Sequence, residues 1–284
     1  MTKQIKKTIR KQLKCKQVKL ELNNCMVITN QESVLLHLQE NYLFREVEAE
    51  CLSKYIEIEN LVIEKLYSNR PVYTGFRPNF RLDVLYVIIN GGPVITRSTP
   101  LDRIIAITYK DACFGMRNLD LSYGKVCRAF PSSVESYKTT EVIKIPVASL
   151  QKIYENHQGF QERYDFLFEL REKFEYHLLN CSTYPPQAVA ALFRALVYQE
   201  RELGNQPQGN DSYKFDLSVE LIARACQLNH RTVEQVLKGL QQQKLITIVK
   251  DDDHCQDLIK VIDAEGLKEI YGATRDKVAW WPLK

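Results

Sequence analysis

Between Asn229 and Lys238 the chain reads NHRTVEQVLK. Asn229, His230, Arg231, Thr232, Gln235 and Lys238 carry hydrogen-bonding or cationic groups, whereas Val233, Val236, Leu237 and Leu240 are apolar. On a helix the two sets fall largely on opposite faces. The polar set has a definite chemistry. The guanidinium fork of Arg231 matches the two acceptors that guanine shows in the major groove of DNA. Asn229, His230 and Gln235 can tune which bases are read. Thr232 and Lys238 suit phosphate oxygens, which position a protein without specifying sequence.

The surrounding residues predict the elements that would hold these groups. Leu221, Ile222 and Ala225 form the apolar side of a preceding short helix, and Asn229 can cap the next one. Two helices joined by a short turn make a helix-turn-helix, whose second helix presents its leading turns to base edges. The alternating runs LITIV and LIKVI, separated by DDDHCQD, predict a hairpin beside it, a wing. Asp251, Asp252 and Asp253 at its tip would repel phosphate.

Other chemistries lack their residues. Eight cysteines (Cys15, Cys25, Cys51, Cys113, Cys127, Cys181, Cys226 and Cys255) contain no CxxC pair and no zinc spacing. They are expected as free thiols in a reducing compartment. No Ser-His-Asp set, metal-ligand spacing or phosphate loop is present, so no enzyme activity, metal or cofactor is predicted. No apolar run reaches the roughly 18 residues a spanning helix needs, and the start MTKQIKKTIRKQLK lacks a signal-peptide core. A cytoplasmic protein without membrane contact is expected.

The 284 residues suit two domains, and the net charge of +4 is compatible with an anionic partner. The first nineteen residues hold eight Lys or Arg and no acid, with Ile5, Ile9 and Leu13 on one face if helical. From about Ile56 to Pro146 short β-rich runs alternate with turn residues. LYVII ends in NGG, and PVITRS, RIIAITY and EVIKIP follow. This predicts a β-sandwich or barrel. Then GFQERYDFLFELREKFEYHLLNC predicts one long helix. Phe160, Tyr164, Leu167, Arg171, Phe174 and Leu178 fall on alternating four- and three-residue steps, a heptad seam for a twin helix. Phe166, Leu170 and Leu179 lie off the seam and predict a second packing surface. Pro185 and Pro186 end this helix and open another.

The stretch ELIARACQLNHRTVEQVLKGLQQQKLI resembles the DNA-binding domain of the CRP/FNR family of bacterial transcription regulators. LYVIINGGPV, IIAITYKDACFGM and EVIKIP are similar to that family's cyclic-nucleotide-binding-type β-roll. The resemblance spans roughly residues 55 to 262. It implies an α+β chain with a jelly-roll-like sensor domain, a long dimerisation helix and a winged helix-turn-helix. The divisions expected are a basic N-terminal extension at 1–48, the β-roll at 49–156, the dimerisation helix at 157–182, and the DNA-binding domain with its tail at 183–284. The docking geometry, a homodimer on a palindromic double-stranded site and RNA polymerase as protein partner are likewise implied.

The departures are informative. Gln227 stands where such turns often carry Gly. Members that bind cyclic AMP hold its ribose with a Glu after FG, where this chain has Gly115 followed by Met116. They hold the cyclic phosphate with an Arg-Ser pair, where it has Phe130 and Pro131. Adenine contacts on the long helix are replaced by Glu175 and Tyr176. A phosphate buried without a charged partner would lose hydration uncompensated, so this is expected to be a degenerate effector pocket that does not take cyclic AMP. Two alternatives stay open: a signalling scaffold whose winged domain binds protein, and a redox or iron–sulfur-responsive regulator using some of the scattered cysteines.

Overall fold

The computed structural model describes residues 33–61, 63–74, 84–98, 103–115, 131–179, 184–207, 209, 212–251, 256–272 and 281. A helical segment over 33–40 (α1) and α2 (Ala49–Tyr55) lead into β1 (Ile63–Leu66), β2 (Arg70–Thr74), β3 (Val84–Gly91), β4 (Val94–Ser98), β5 (Ile104–Thr108), β6 (Cys113–Phe114), β7 (Pro131–Ser136) and β8 (Thr140–Pro146). These strands form two antiparallel four-stranded sheets, ordered β1-β8-β3-β6 and β2-β7-β4-β5. The expected β-roll is present.

LYVII is apolar without a break because β3 is buried on both faces. Tyr86 and Ile88 point inward, where they meet Leu66, Phe114 and Val142 of their own sheet and Val94 and Val134 of the other. Leu85, Val87 and Ile89 point outward, against the N-terminal segment and the helices that follow β8. The turn after β3 needs glycine. Gly91 has φ +77°, and a side chain there would collide with the carbonyl of Thr139.

The N-terminal segment is not an appendage where it is described. Val34, Leu38, Leu43, Phe44 and Val47 are fully buried in the roll's outer core. Asn41 donates from its side chain to the Asp111 carbonyl at 2.9 Å, and its Oδ1 accepts from the Leu43 amide. The basic start of the chain, with Ile5, Ile9 and Leu13, lies outside the described residues.

After β8 come α3 (Val147–Asn156) and the long helix α4 (Gln158–Leu179). His157 breaks them apart in an extended conformation, and its Nδ1 accepts from the Phe160 amide at 3.0 Å. Part of the heptad seam is buried within the chain itself. Phe160 and Tyr164 are 0% and 1% exposed within the chain's own N-terminal core, with Phe160 against Phe44 and Tyr164 edge-on to Tyr154. Phe174 is 3% exposed in the C-terminal core. Leu167 and Arg171 are half-buried on the same face. The outer face carries Gln158, Glu162, Glu169 and Lys173, all exposed and polar. Phe160, Tyr164 and Phe174 of the expected seam are thus covered within this protomer by its own roll and C-terminal domain. For Leu178 the expectation concerns a side chain outside the described ones.

The C-terminal half contains α5 (Pro185–Glu202), β9 (Tyr213–Asp216), α6 (Val219–Cys226), α7 (His230–Gln242), β10 (Ile246–Asp251), β11 (Gln256–Val261) and α8 (Ala264–Gly272). Tyr184 before Pro185 is extended as expected, and α5 starts at Pro185 with Pro186 in its first turn. The three strands form one antiparallel sheet ordered β10-β11-β9. In α8, Leu267 and Ile270 pack into the same core as α5, α6 and α7, and Trp281 lies against that core. Among the described residues, no helix is long and apolar enough to cross a membrane.

Candidate nucleic-acid interface

The helix-turn-helix is built from two caps and one strained residue. Ser218 caps α6, its Oγ accepting from the Leu221 amide at 3.2 Å. Leu221, Ile222, Ala223, Ala225 and Cys226 bury α6 against the domain core. Gln227 then ends α6 in the left-handed region, with φ 55° and ψ 42°. The position that the resemblance marked as a glycine site does adopt the conformation glycine favours, and glutamine holds it at a steric cost. Asn229 caps α7, its Oδ1 accepting from the Thr232 amide at 2.8 Å.

On α7, Val233, Val236, Leu237 and Leu240 are buried. His230, Arg231 and Lys238 are exposed, and Thr232 and Gln235 are half-buried. Asn229 is exposed too, but the cap engages its carbonyl oxygen, which leaves its amide nitrogen as the group able to reach a ligand. The helix therefore gathers Arg231, Gln235 and Lys238 on one polar face with His230 at its leading end. Sequence reasoning missed Glu234, which is exposed on that face and lies one turn from both His230 and Lys238. Helical periodicity could have found it. Its carboxylate is an acceptor suited to the exocyclic amine of cytosine.

The wing forms as expected. β10 and β11 pair from Ile246 with Val261 to Asp251 with Gln256. Ile246, Ile259, Val261, Tyr213 and Phe215 fasten the sheet's inner face to the core. Asp252 and Asp253 lie outside the described residues.

The domain does not stand free of the roll. Ile95, Ile104 and Ile107 on the outer face of the second sheet belong to the same apolar cluster as the C-terminal domain. Polar contacts ring this patch. The Tyr109 hydroxyl donates to the Asp216 carbonyl at 3.3 Å. Burial raises its pKa well above the usual phenol value, with Asp216 and Glu200 adding to the effect. Lys138 Nζ lies 2.5 and 2.7 Å from the two carboxylate oxygens of Asp216. The Glu135 carboxylate accepts from Arg224 of α6 at 2.6 Å and from Arg97 of β4 at 3.2 Å. Tyr137 and Ser218 share a hydrogen bond at 2.5 Å between their hydroxyls.

The effector-pocket expectation is only partly within view. Gly115 follows β6 with φ +84° and packs against the Tyr86 ring. That ring stacks on Phe114 at 4.7 Å with an interplanar angle of 5°, so the described interior of the roll is aromatic and aliphatic. Met116 and Phe130 lie outside the described residues. Pro131 lies in β7 and Glu175 and Tyr176 in α4, and the expectation for those three concerns side chains outside the described ones.

Among the described residues, the thiols of Cys51, Cys113 and Cys226 are not joined in disulfides. Burial pushes the Cys113 thiol up to about 12, which suppresses the reactive thiolate even with the Arg171 charge opposing it. Among the described residues no three His, Cys, Asp or Glu side chains gather as metal ligands.

No protein-family model matches the chain, and no curated relative matches it in sequence. Solved structures do match. FixK2 from Bradyrhizobium japonicum superposes with a TM-score of 0.55 at 16% identity, over 75% of this chain and 98% of that one. A CooA mutant from Carboxydothermus hydrogenoformans gives 0.56 at 15% identity, over 82% of this chain and 96% of that one. A putative transcriptional regulator of the CRP/FNR family from Eubacterium rectale gives 0.46 at 14% identity, over 81% and 98%. With two antiparallel sheets, a long connecting helix and a winged helix-turn-helix in that order, this chain has the fold of the CRP/FNR-type regulators.

Proposed function

We propose that this protein is a homodimeric, sequence-specific DNA-binding transcription regulator that works with RNA polymerase and is not controlled by cyclic AMP. The observation that carries the reading is α7, capped at Asn229 and anchored by its apolar side. Its polar side offers Arg231, Glu234, Gln235 and Lys238 beside a two-stranded wing. This is the presentation that lets a helix enter a major groove. One such helix makes too few base contacts for tight specific binding. Two held about one DNA turn apart, roughly 34 Å, make the second contact intramolecular. Leu167 and Arg171, half-buried in α4, are the described seam residues that could still meet a partner helix. Independence from cyclic AMP is supported by the aromatic stack inside the roll and by Met116, Phe130 and Pro131 where the resemblance calls for a charged clamp.

Selection of bound duplexes from random genomic fragments, followed by affinity measurements at several salt concentrations, tests this. Arg231→Ala should weaken the best site by about 1–3 kcal/mol and relax one base-pair preference per half-site. Lys238→Ala should weaken all sites evenly and lower the salt slope by about one. Unchanged base preference in Arg231→Ala would contradict the assignment of the reading face. Recovery of no enriched duplex would contradict DNA binding itself.

A further inference from the structure

We infer that the end of β7 and the turn after it form a latch that holds the helix-turn-helix in a DNA-excluding arrangement. The inference rests on the DNA-binding reading above and assigns its regulation. When a helix-turn-helix docks, its first helix crosses the DNA backbone. The N-terminus of that helix, with its free amides and positive dipole end, is where a phosphate settles. In this chain the first helix is α6, and the roll already occupies its polar groups.

Ser218, the α6 cap, is hydrogen-bonded to Tyr137. Arg224 in the last turn of α6 is paired with Glu135, which a second guanidinium, Arg97, holds in place. Just before α6, Asp216 is gripped by Lys138. Glu135, Tyr137 and Lys138 lie within four residues of one another, so a single short segment makes all three contacts. A phosphate approaching the N-terminal end of α6 would meet the Asp216 carboxylate and find the cap hydroxyl engaged. The apolar patch of Ile95, Ile104 and Ile107 keeps the domains together, and the polar ring fixes which way α6 faces. β7 begins at Pro131, one of the positions where the family places its effector pocket. A change in the roll's interior therefore has a direct mechanical route, one strand long, to α6.

The test uses the full-length protein and the tightest duplex recovered by the selection described above. Lys138→Met removes a cation, so simple electrostatics predicts weaker DNA binding, whereas release of the latch predicts tighter binding. We expect the duplex affinity of Lys138→Met to rise by about threefold, and that of a variant combining Glu135→Gln, Tyr137→Phe and Lys138→Met by about tenfold. The reversed pair Lys138→Asp with Asp216→Lys should return affinity toward wild type. Amide hydrogen exchange in α6 without DNA should quicken in the combined variant, which reads the latch independently of any duplex. Weaker or unchanged binding in Lys138→Met overturns the latch while leaving the DNA-binding reading intact. If no variant binds any duplex, both readings fall together.

Discussion

Two amphipathic helices, α7 and α4, look equally informative in sequence, yet they meet different fates in the fold. In α7 a narrow apolar side is buried and the opposite side is polar and exposed, so the residues singled out for recognition stay at the surface. In α4 the apolar residues wrap much more of the circumference, and Phe160, Tyr164 and Phe174 disappear into two cores of the same chain. The lesson is that periodicity identifies which face leaves water but not what covers it. A helix with one apolar face has one answer, its own domain. A helix that is apolar on two sides has several, and a heptad spacing does not choose among them.

The sharpest way to break this comparison is Phe174→Asp. If the seam paired two protomers, the variant would be a folded monomer. Buried at 3% exposure in the C-terminal core, on a helix that packs against α5 and β5, an ionised carboxylate there should instead cost several kcal/mol and unfold the C-terminal domain. Chemical denaturation followed by circular dichroism, with light scattering for mass, distinguishes the two. A cooperatively folded monomer would restore the seam to its first role.

The turn that introduces α7 gives a smaller effect with two signs. Asn229→Ala should lower stability by about 1 kcal/mol because the Thr232 amide loses its acceptor. Gln227→Gly should raise stability by up to about 1 kcal/mol because glycine adopts φ near 55° freely. Both are read from denaturation midpoints. A destabilising Gln227→Gly would mean that the glutamine side chain contributes more than its backbone strain costs.

The smallest effect is a pH dependence in α5, which packs beside both helices. Burial raises the Glu200 pKa above its usual value. A hydrogen bond from Asn205 opposes this, and the nearby Asp111 charge adds to it. The folded state thus holds this proton more tightly than the unfolded chain. The stabilisation is fully present below the ordinary glutamate pKa of about 4.3 and is lost as pH rises through the raised folded value. Glu200→Gln should flatten that part of the stability–pH curve, measured by denaturation across mildly acidic buffers. An unaltered slope would assign the dependence to another group.

The local devices were legible because each is written in adjacent residues. Asn229 as a cap, the proline pair between α4 and α5, the NGG turn and the two alternating runs of the wing all depend on backbone preferences within a few positions. Residues 33–48 carry no comparable local signal. Leu38, Leu43 and Phe44 earn their places only through β3, α3 and α4, far along the chain.

By itself, then, the sequence determined the order of elements and the amphipathic helix α7 with its polar face. Short-range sterics, capping and periodicity act within a few residues, and they suffice for that. Only the tertiary structure decided that Phe160, Tyr164 and Phe174 of α4 are covered by their own protomer. Only it could bring Glu135, Tyr137 and Lys138 against Arg224, Ser218 and Asp216, pairs separated by at least 78 positions in the chain. Such contacts follow from how two apolar surfaces find each other once the sheets and helices exist. That choice is made by burial over the whole molecule rather than by any stretch of it.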